Sequence, residues 1–369
     1  MILVPALAPP EIEQPASFQV SYGLVTGRAA PGTRRVIVTA NGKKLASKPL
    51  AGRRFSLRLS LPVGDVTVGV TTVGRGRRSS AHVHDVLAVP PGSRPRVVAA
   101  RQDLVLARKV ARLVHGFRGT AAVYVQSLTG GGGAAANARA TFPGASTLKL
   151  AIATTVLARH TGIPPPGSSL HDLLTAMIVR SDNAAANALE VWLAGSTSGG
   201  SHEINALMRS IGLTDTEMYG GYELRTLSSR ISVRVDEQPA YGYGKHTTAR
   251  DLTSLLRSIW LASGGRGRLH AMQSGFTSAD GRYLLWLLAH VRDAPKLDRV
   301  RKGSPGVVVA HKAGWVNDAR HDAGLIFWRG GVFVAGVMTW SSRGVGTSAD
   351  VLAGRVAMAA LARFRHTEG

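Results

Sequence analysis

The chain has no cysteine among its 369 residues. Disulfide frameworks, thiolate metal sites and thiol nucleophiles are therefore excluded, while every compartment stays open. Acidic residues are scarce: 22 Asp and Glu face 45 Lys and Arg, a net charge of +23. Lysine is scarce too, with 9 Lys against 36 Arg. No run of 18 apolar residues occurs, so no transmembrane segment is expected. The arginines are scattered and no nucleic-acid-binding motif appears, so nucleic acid is not an expected partner. The excess charge has two readings: an arginine-rich surface, or attraction to an anionic polymer such as one of a cell wall. Charged residues make up only 18% and hydrophobic ones 44%, a globular balance, and the length allows two or three domains.

Met1 to Ala8, MILVPALA, is short and apolar and precedes Pro9-Pro10. Residues 1–14 read as a signal-peptide remnant plus linker, which makes the protein secreted or envelope-associated. Residues 15–90 read as β. Phe55, Leu57, Leu59 and Leu61 alternate with polar residues, as do Val66, Val68 and Val70, the period of half-buried strands. Asn41-Gly42 is a hairpin-turn signal. Five or six such strands predict a small immunoglobulin-like sandwich. It carries no catalytic constellation and serves as a spacer or as a wall-binding module. His82 and His84 share one strand face, too few ligands for a metal site.

Val89 to Arg96, VPPGSRPR, is a linker by composition. Residues 91–369 then form a second domain of α+β type. Leu106, Val110, Leu113, Val114 and Phe117 mark an amphipathic helix. Strands are expected at Ala121 to Ser127, Val307 to Val309, Ala323 to Trp328 and Val332 to Trp340. Helices are expected around Leu170 to Ile178, at Ala184 to Leu193, after a capping box at Thr248 and Asp251, and at Ser348 to Phe364.

Ser146 and Lys149 form a Ser-x-x-Lys pair at the start of an apolar helical run, on one face of the helix. Of the nine lysines only Lys149 follows a serine at this spacing. A serine hydroxyl becomes a nucleophile when a base takes its proton, and a lysine with a depressed pKa can do so. A helix start also offers backbone N–H groups to developing negative charge. Downstream stand Ser181-Asp182-Asn183 and Lys312-Ala313-Gly314.

Three such elements in this order resemble the penicillin-recognising serine hydrolases, the serine β-lactamases and D,D-peptidases, and class A β-lactamases most of all. The stretches LLTAMIVRSDNAAAN and HKAGWVNDARHDAG support the resemblance, which covers about residues 97–369. It implies a helical subdomain beside an antiparallel sheet, with the site between them and the second stretch as the innermost strand, a loop and the next strand. It makes Ser146 the nucleophile, Lys149 its base, Ser181 a proton relay and Lys312 the cation for a substrate carboxylate. Asn183 would bind the substrate amide, Asp182 would orient its loop, and the backbone N–H groups of Ser146 and Trp315, beside Gly314, would form an oxyanion hole. The implied substrate is a β-lactam or a peptidoglycan-type D-alanyl peptide, with no metal or cofactor.

Three departures stand out. Ala313 replaces the family's Thr or Ser. The segment from Lys149 to Ser181 is shorter than the class A norm. No E-x-x-L-N stretch follows the second motif, so the stretch that carries the family's base for ester hydrolysis is missing. Glu217 and Glu223 lie near the right region; Glu223 is the candidate general base although Glu223-Leu224-Arg225 matches poorly, and the other reading of either acid is a solvated loop residue. These departures favour slow deacylation and leave a non-catalytic wall-binding protein as the alternative.

Overall fold

The computed structural model describes residues 7–74, 76–222, 244–271 and 275–368. The chain divides into two compact units, Met1–Arg94 and Pro95–Gly369. Unit one holds β1 (Glu11–Gln14), β2 (Gln19–Ser21), β3 (Leu24–Arg28), β4 (Arg35–Ala40), β5 (Lys43–Pro49), β6 (Arg54–Arg58), β7 (Gly64–Gly74) and β8 (Arg77–Ala88). They form a three-stranded sheet, β1-β3-β6, and a five-stranded sheet, β2-β8-β7-β4-β5. Val25 and Phe55 from the first sheet and Val38, Val68 and Val86 from the second share one core, which makes a sandwich. Asn41 and Gly42, both at positive φ, turn β4 into β5 as a two-residue hairpin requires. The eight described strands exceed the five or six expected. β1 and β2 have four and three residues, too few to show an alternation.

Unit two begins with β9 (Arg101–Gln102), α1 (Leu104–His115), β10 (Thr120–Ser127), β11 (Gly132–Ala136) and β12 (Phe142–Pro143). Next come α2 (Lys149–Arg159), α3 (Ser169–Val179), α4 (Asn183–Ala194), α5 (Thr197–Ser210) and β13 (His246–Thr247). The unit closes with α6 (Ala249–Ser263), α7 (Arg268–Ala271), α8 (Ser278–Ala289), β14 (Val308–Val316), β15 (Ala319–Trp328), β16 (Gly331–Trp340) and α9 (Ser348–Glu368). Its main sheet runs β14-β15-β16-β10-β11-β9, antiparallel except for the β11–β9 pair. α1 and α9 bury Leu106, Val110, Val356 and Phe364 against Val123, Val125 and Phe333. α6 packs against the sheet where Gly336 leaves room for Ala249 and Thr253.

α2 is buried on every side from Lys149 to Ala158, so it is the central helix of the helical part. Asp182 caps α4, accepting from the Ala185 N–H at 2.7 Å. The expected capping box at Thr248 is only half formed. Thr248 caps α6, but the Asp251 carboxylate bonds Thr216 and the Asp215 N–H instead. β14 is not the innermost strand: it lies at the sheet's edge. An interior strand has both backbone edges paired, whereas β14 keeps one edge for what packs beside it. No helix among the described residues is long and apolar enough to cross a membrane.

Candidate active site

The site begins with a turn in an unusual conformation. Pro143 pairs with His246, and the Gly144 N–H donates to the Lys245 carbonyl at 2.7 Å. Ala145 then takes φ +44°, a left-handed conformation that costs a non-glycine residue about 1–3 kcal/mol. Ser146 follows within a 3₁₀ turn, Ala145–Leu148, and α2 begins only at Lys149. In a 3₁₀ turn residues i and i+3 eclipse, so Ser146 and Lys149 still share a side. His321 fixes the lead-in by donating from Nε2 to the Pro143 carbonyl at 2.8 Å, while its Nδ1 accepts from the Thr339 N–H at 3.2 Å. Burial pushes its pKa down to about 4, so the ring is neutral and this pattern defines its tautomer.

Lys149 is fully buried, and its Nζ donates to the Ser181 carbonyl, to Asn183 Oδ1 at 2.5 Å and to Ser181 Oγ at 3.4 Å. Ser181 also holds a left-handed backbone, φ +59°, just before the capped start of α4. From the opposite element, β14, Lys312 Nζ donates to the same Ser181 Oγ at 3.0 Å and to the Ala313 carbonyl at 2.9 Å. The three motifs, far apart in sequence, therefore meet at one hydroxyl. Lys312 is 1% exposed, and burial lowers its pKa to about 8. Asp293 and Asp322 oppose that shift and the neighbouring Lys296 adds to it.

Gly314 is required where it stands. A Cβ there would lie 2.8 Å from the Ser146 nitrogen and 2.7 Å from the Thr147 nitrogen, so β14 passes directly over the backbone of Ser146. Trp315 follows, 60% exposed at the end of the strand. The Asn183 side-chain oxygen accepts from Lys149, and its amide N–H group makes no hydrogen bond among the described residues.

Glu217 bridges to the backbone of His246, with its carboxylate 4.0 Å from that ring. Glu223 lies outside the described residues. Short motifs gave no sign of three other groups. Tyr222, 8% exposed, lays its ring 4.8 Å from Lys149 Nζ and 4.7 Å from Lys245 Nζ. Asn187 grips the Tyr222 backbone, accepting from its N–H at 2.7 Å and donating to its carbonyl at 3.0 Å. Glu190 is fully buried, and neither carboxylate oxygen has a hydrogen-bond partner among the described residues. Burial raises its pKa to about 8, against the pull of Lys245. One signal was available. Asn183, Asn187 and Glu190 are spaced i, i+4, i+7 and form a polar column along one face of α4.

Comparison with solved structures gives the same fold. PBP-A aligns at 20% identity and TM-score 0.57, covering 73% of this chain and all of that one. A class A β-lactamase from Mycobacterium abscessus aligns at 21% and 0.53, covering 70% and 99%. An ancestral class A β-lactamase (GNCA) aligns at 22% and 0.55, covering 70% and 100%. No curated protein sequence matches the chain. The model of the beta-lactamase enzyme family matches residues 160–364, more than half of the chain, and the chain belongs to that family.

Proposed function

We propose that this protein is a serine hydrolase or acyltransferase that opens a β-lactam, or a peptidoglycan-type D-alanyl peptide, through an ester on Ser146 and releases that ester slowly. The observation that carries this reading is the meeting of Lys149 and Lys312 on the hydroxyl of Ser181. A PBP-A variant captured as an acyl-enzyme with penicillin G supports it at the level of chemistry.

In this reading Lys149 takes the Ser146 proton as Oγ bonds to the carbonyl carbon. The oxyanion meets the backbone N–H groups of Ser146 and Trp315; one such donor typically contributes about 3 kcal/mol. As the C–N bond breaks, the leaving nitrogen takes the Ser181 proton, and Lys149 returns its proton to Ser181. Lys312 holds the substrate carboxylate and Asn183 its amide. Ala313 lacks the hydroxyl that would help with the carboxylate, so capture is weaker. Hydrolysis of the ester then needs a water activated by a base, and the sequence contains no E-x-x-L-N stretch to supply it. The same reading puts the protein at the cell envelope or outside it, with the immunoglobulin-like sandwich as a stalk and the basic surface facing an anionic wall polymer.

A chromogenic cephalosporin tests the release step. The expected trace is a burst of about one equivalent followed by slow turnover. Rapid multiple turnover would overturn slow release. If neither a penicillin nor a D-alanyl-D-alanine peptide reacts faster with wild type than with Ser146→Ala, the non-catalytic binding protein is the better reading.

A further inference from the structure

We propose that Tyr222 is a positioning residue for acylation: its ring seats the Nζ of Lys149, and its hydroxyl ties down the strained turn that presents Ser146. The inference rests on the reading of Ser146 as nucleophile and Lys149 as its base. Tyr222 transfers no proton and forms no bond in that reading; it acts through Lys149, which its ring holds, and through the turn that carries Ser146.

Tyr222 is held from three sides. Its backbone N–H and carbonyl are both engaged by the single amide of Asn187, one turn along α4 from the Asn183 that accepts from Lys149. A residue gripped at both backbone groups cannot shift without breaking both bonds. Its hydroxyl donates to the Ala145 carbonyl at 3.2 Å, and Ala145 is the residue at φ +44°. Strain of that kind persists only where the surroundings over-determine it. Burial, with the negative charge of Glu190 adding to it, holds the hydroxyl's pKa well above the usual tyrosine value, so the group stays a donor.

The ring is the third hold. The Nζ atoms of Lys149 and Lys245 both reach its face, within the range of a cation–π contact for whichever of them carries a proton. Lys245 closes the circuit. Its Nζ donates to the Gly221 carbonyl at 2.5 Å, and its own carbonyl accepts from Gly144 at 2.7 Å. Gly144, Ala145, Tyr222 and Lys245 thus form one closed loop of contacts around the residue before the nucleophile. When Lys149 takes the Ser146 proton, the new ammonium forms against a surface that already favours a cation.

The test compares Tyr222→Phe and Tyr222→Leu with wild type, separating non-covalent affinity for penicillin from the acylation rate constant. Tyr222→Phe keeps the ring and loses the hydroxyl bond, and acylation should slow about tenfold, the scale of one neutral hydrogen bond. Tyr222→Leu loses both, and the rate constant should fall about 10²-fold. Affinity should hold within about twofold for each variant, and Phe should recover most of what Leu loses. A fluorophosphonate is the second probe, its P–F bond breaking as Ser146 Oγ bonds to phosphorus, and thermal melts check folding of each variant. If wild type is labelled at Ser146 by either probe and both variants react at the wild-type rate, the positioning role is overturned and the proposed function stands. Equal losses in affinity and rate, tracking a loss of melting temperature, would also overturn it. Wild type inert at Ser146 to both probes overturns the two readings together.

Discussion

At the scale of single residues the site turns on Ser181. Its one hydroxyl oxygen receives both lysines, so the charge on each bears on the other. Lys312 carries its charge only below about pH 8, because burial penalises the ammonium. Capture of a carboxylate-bearing drug should therefore weaken as pH rises through that value. Second-order acylation rates from about pH 6 to about pH 9.5 should show a falling limb, and Lys312→Ala should react slowly with no such limb. A rate that keeps rising past pH 9 in wild type would remove Lys312 from that role. Ser146, Lys149, Ser181 and Lys312 were all legible in the sequence, because each sits in a motif of three or four residues. Tyr222, Lys245 and His321 were not. They reach the site through the ring contact, the turn carbonyls and the sheet register, and no local spacing marks any of these.

At the scale of elements, α4 does two jobs. Its capped start holds Ser181 and Asn183 against Lys149, and the column continuing through Asn187 and Glu190 faces the Tyr222 side of the site. Glu190 is the anomaly in that column. Its carboxyl group binds a proton more tightly folded than unfolded, with a folded pKa of about 8 against an ordinary 4.5. Such a group favours the folded state fully at low pH and loses that contribution as pH rises through about 8. Glu190→Gln should flatten the decline of melting temperature between those pH values and raise the melting point at about pH 8 by ~2–5 °C. Thermal melts of the two proteins across that range decide it; parallel curves would mean that Glu190 is ionised and partnered. Helices and strands with long apolar periods, such as α1, α6 and β7, were readable from pattern alone. The edge position of β14 was not, because strand order depends on long-range pairing that alternation does not encode.

At the scale of the molecule, every motif lies in unit two, and the family match from residue 160 to 364 lies there as well. Unit one has its own two-sheet core around Val38, Val68 and Val86. A fragment spanning 95–369 should therefore fold and take penicillin at a rate within about threefold of the whole chain. A folded fragment that no longer reacts would make the sandwich part of the enzyme. The composition set the outer limits of this picture, with no thiol chemistry and no apolar run of spanning length. It said nothing of substrate, because specificity resides in the shape of the cleft and not in the fold.

Whether Ser146 is an activated nucleophile is read most directly from intact mass. Wild type incubated with penicillin should gain the mass of one drug molecule, with the adduct mapped to the peptide carrying Ser146. The adduct should persist after free drug is removed, and Ser146→Ala should gain nothing. An adduct of equal yield on Ser146→Ala, or none on folded wild type at saturating drug, would contradict it.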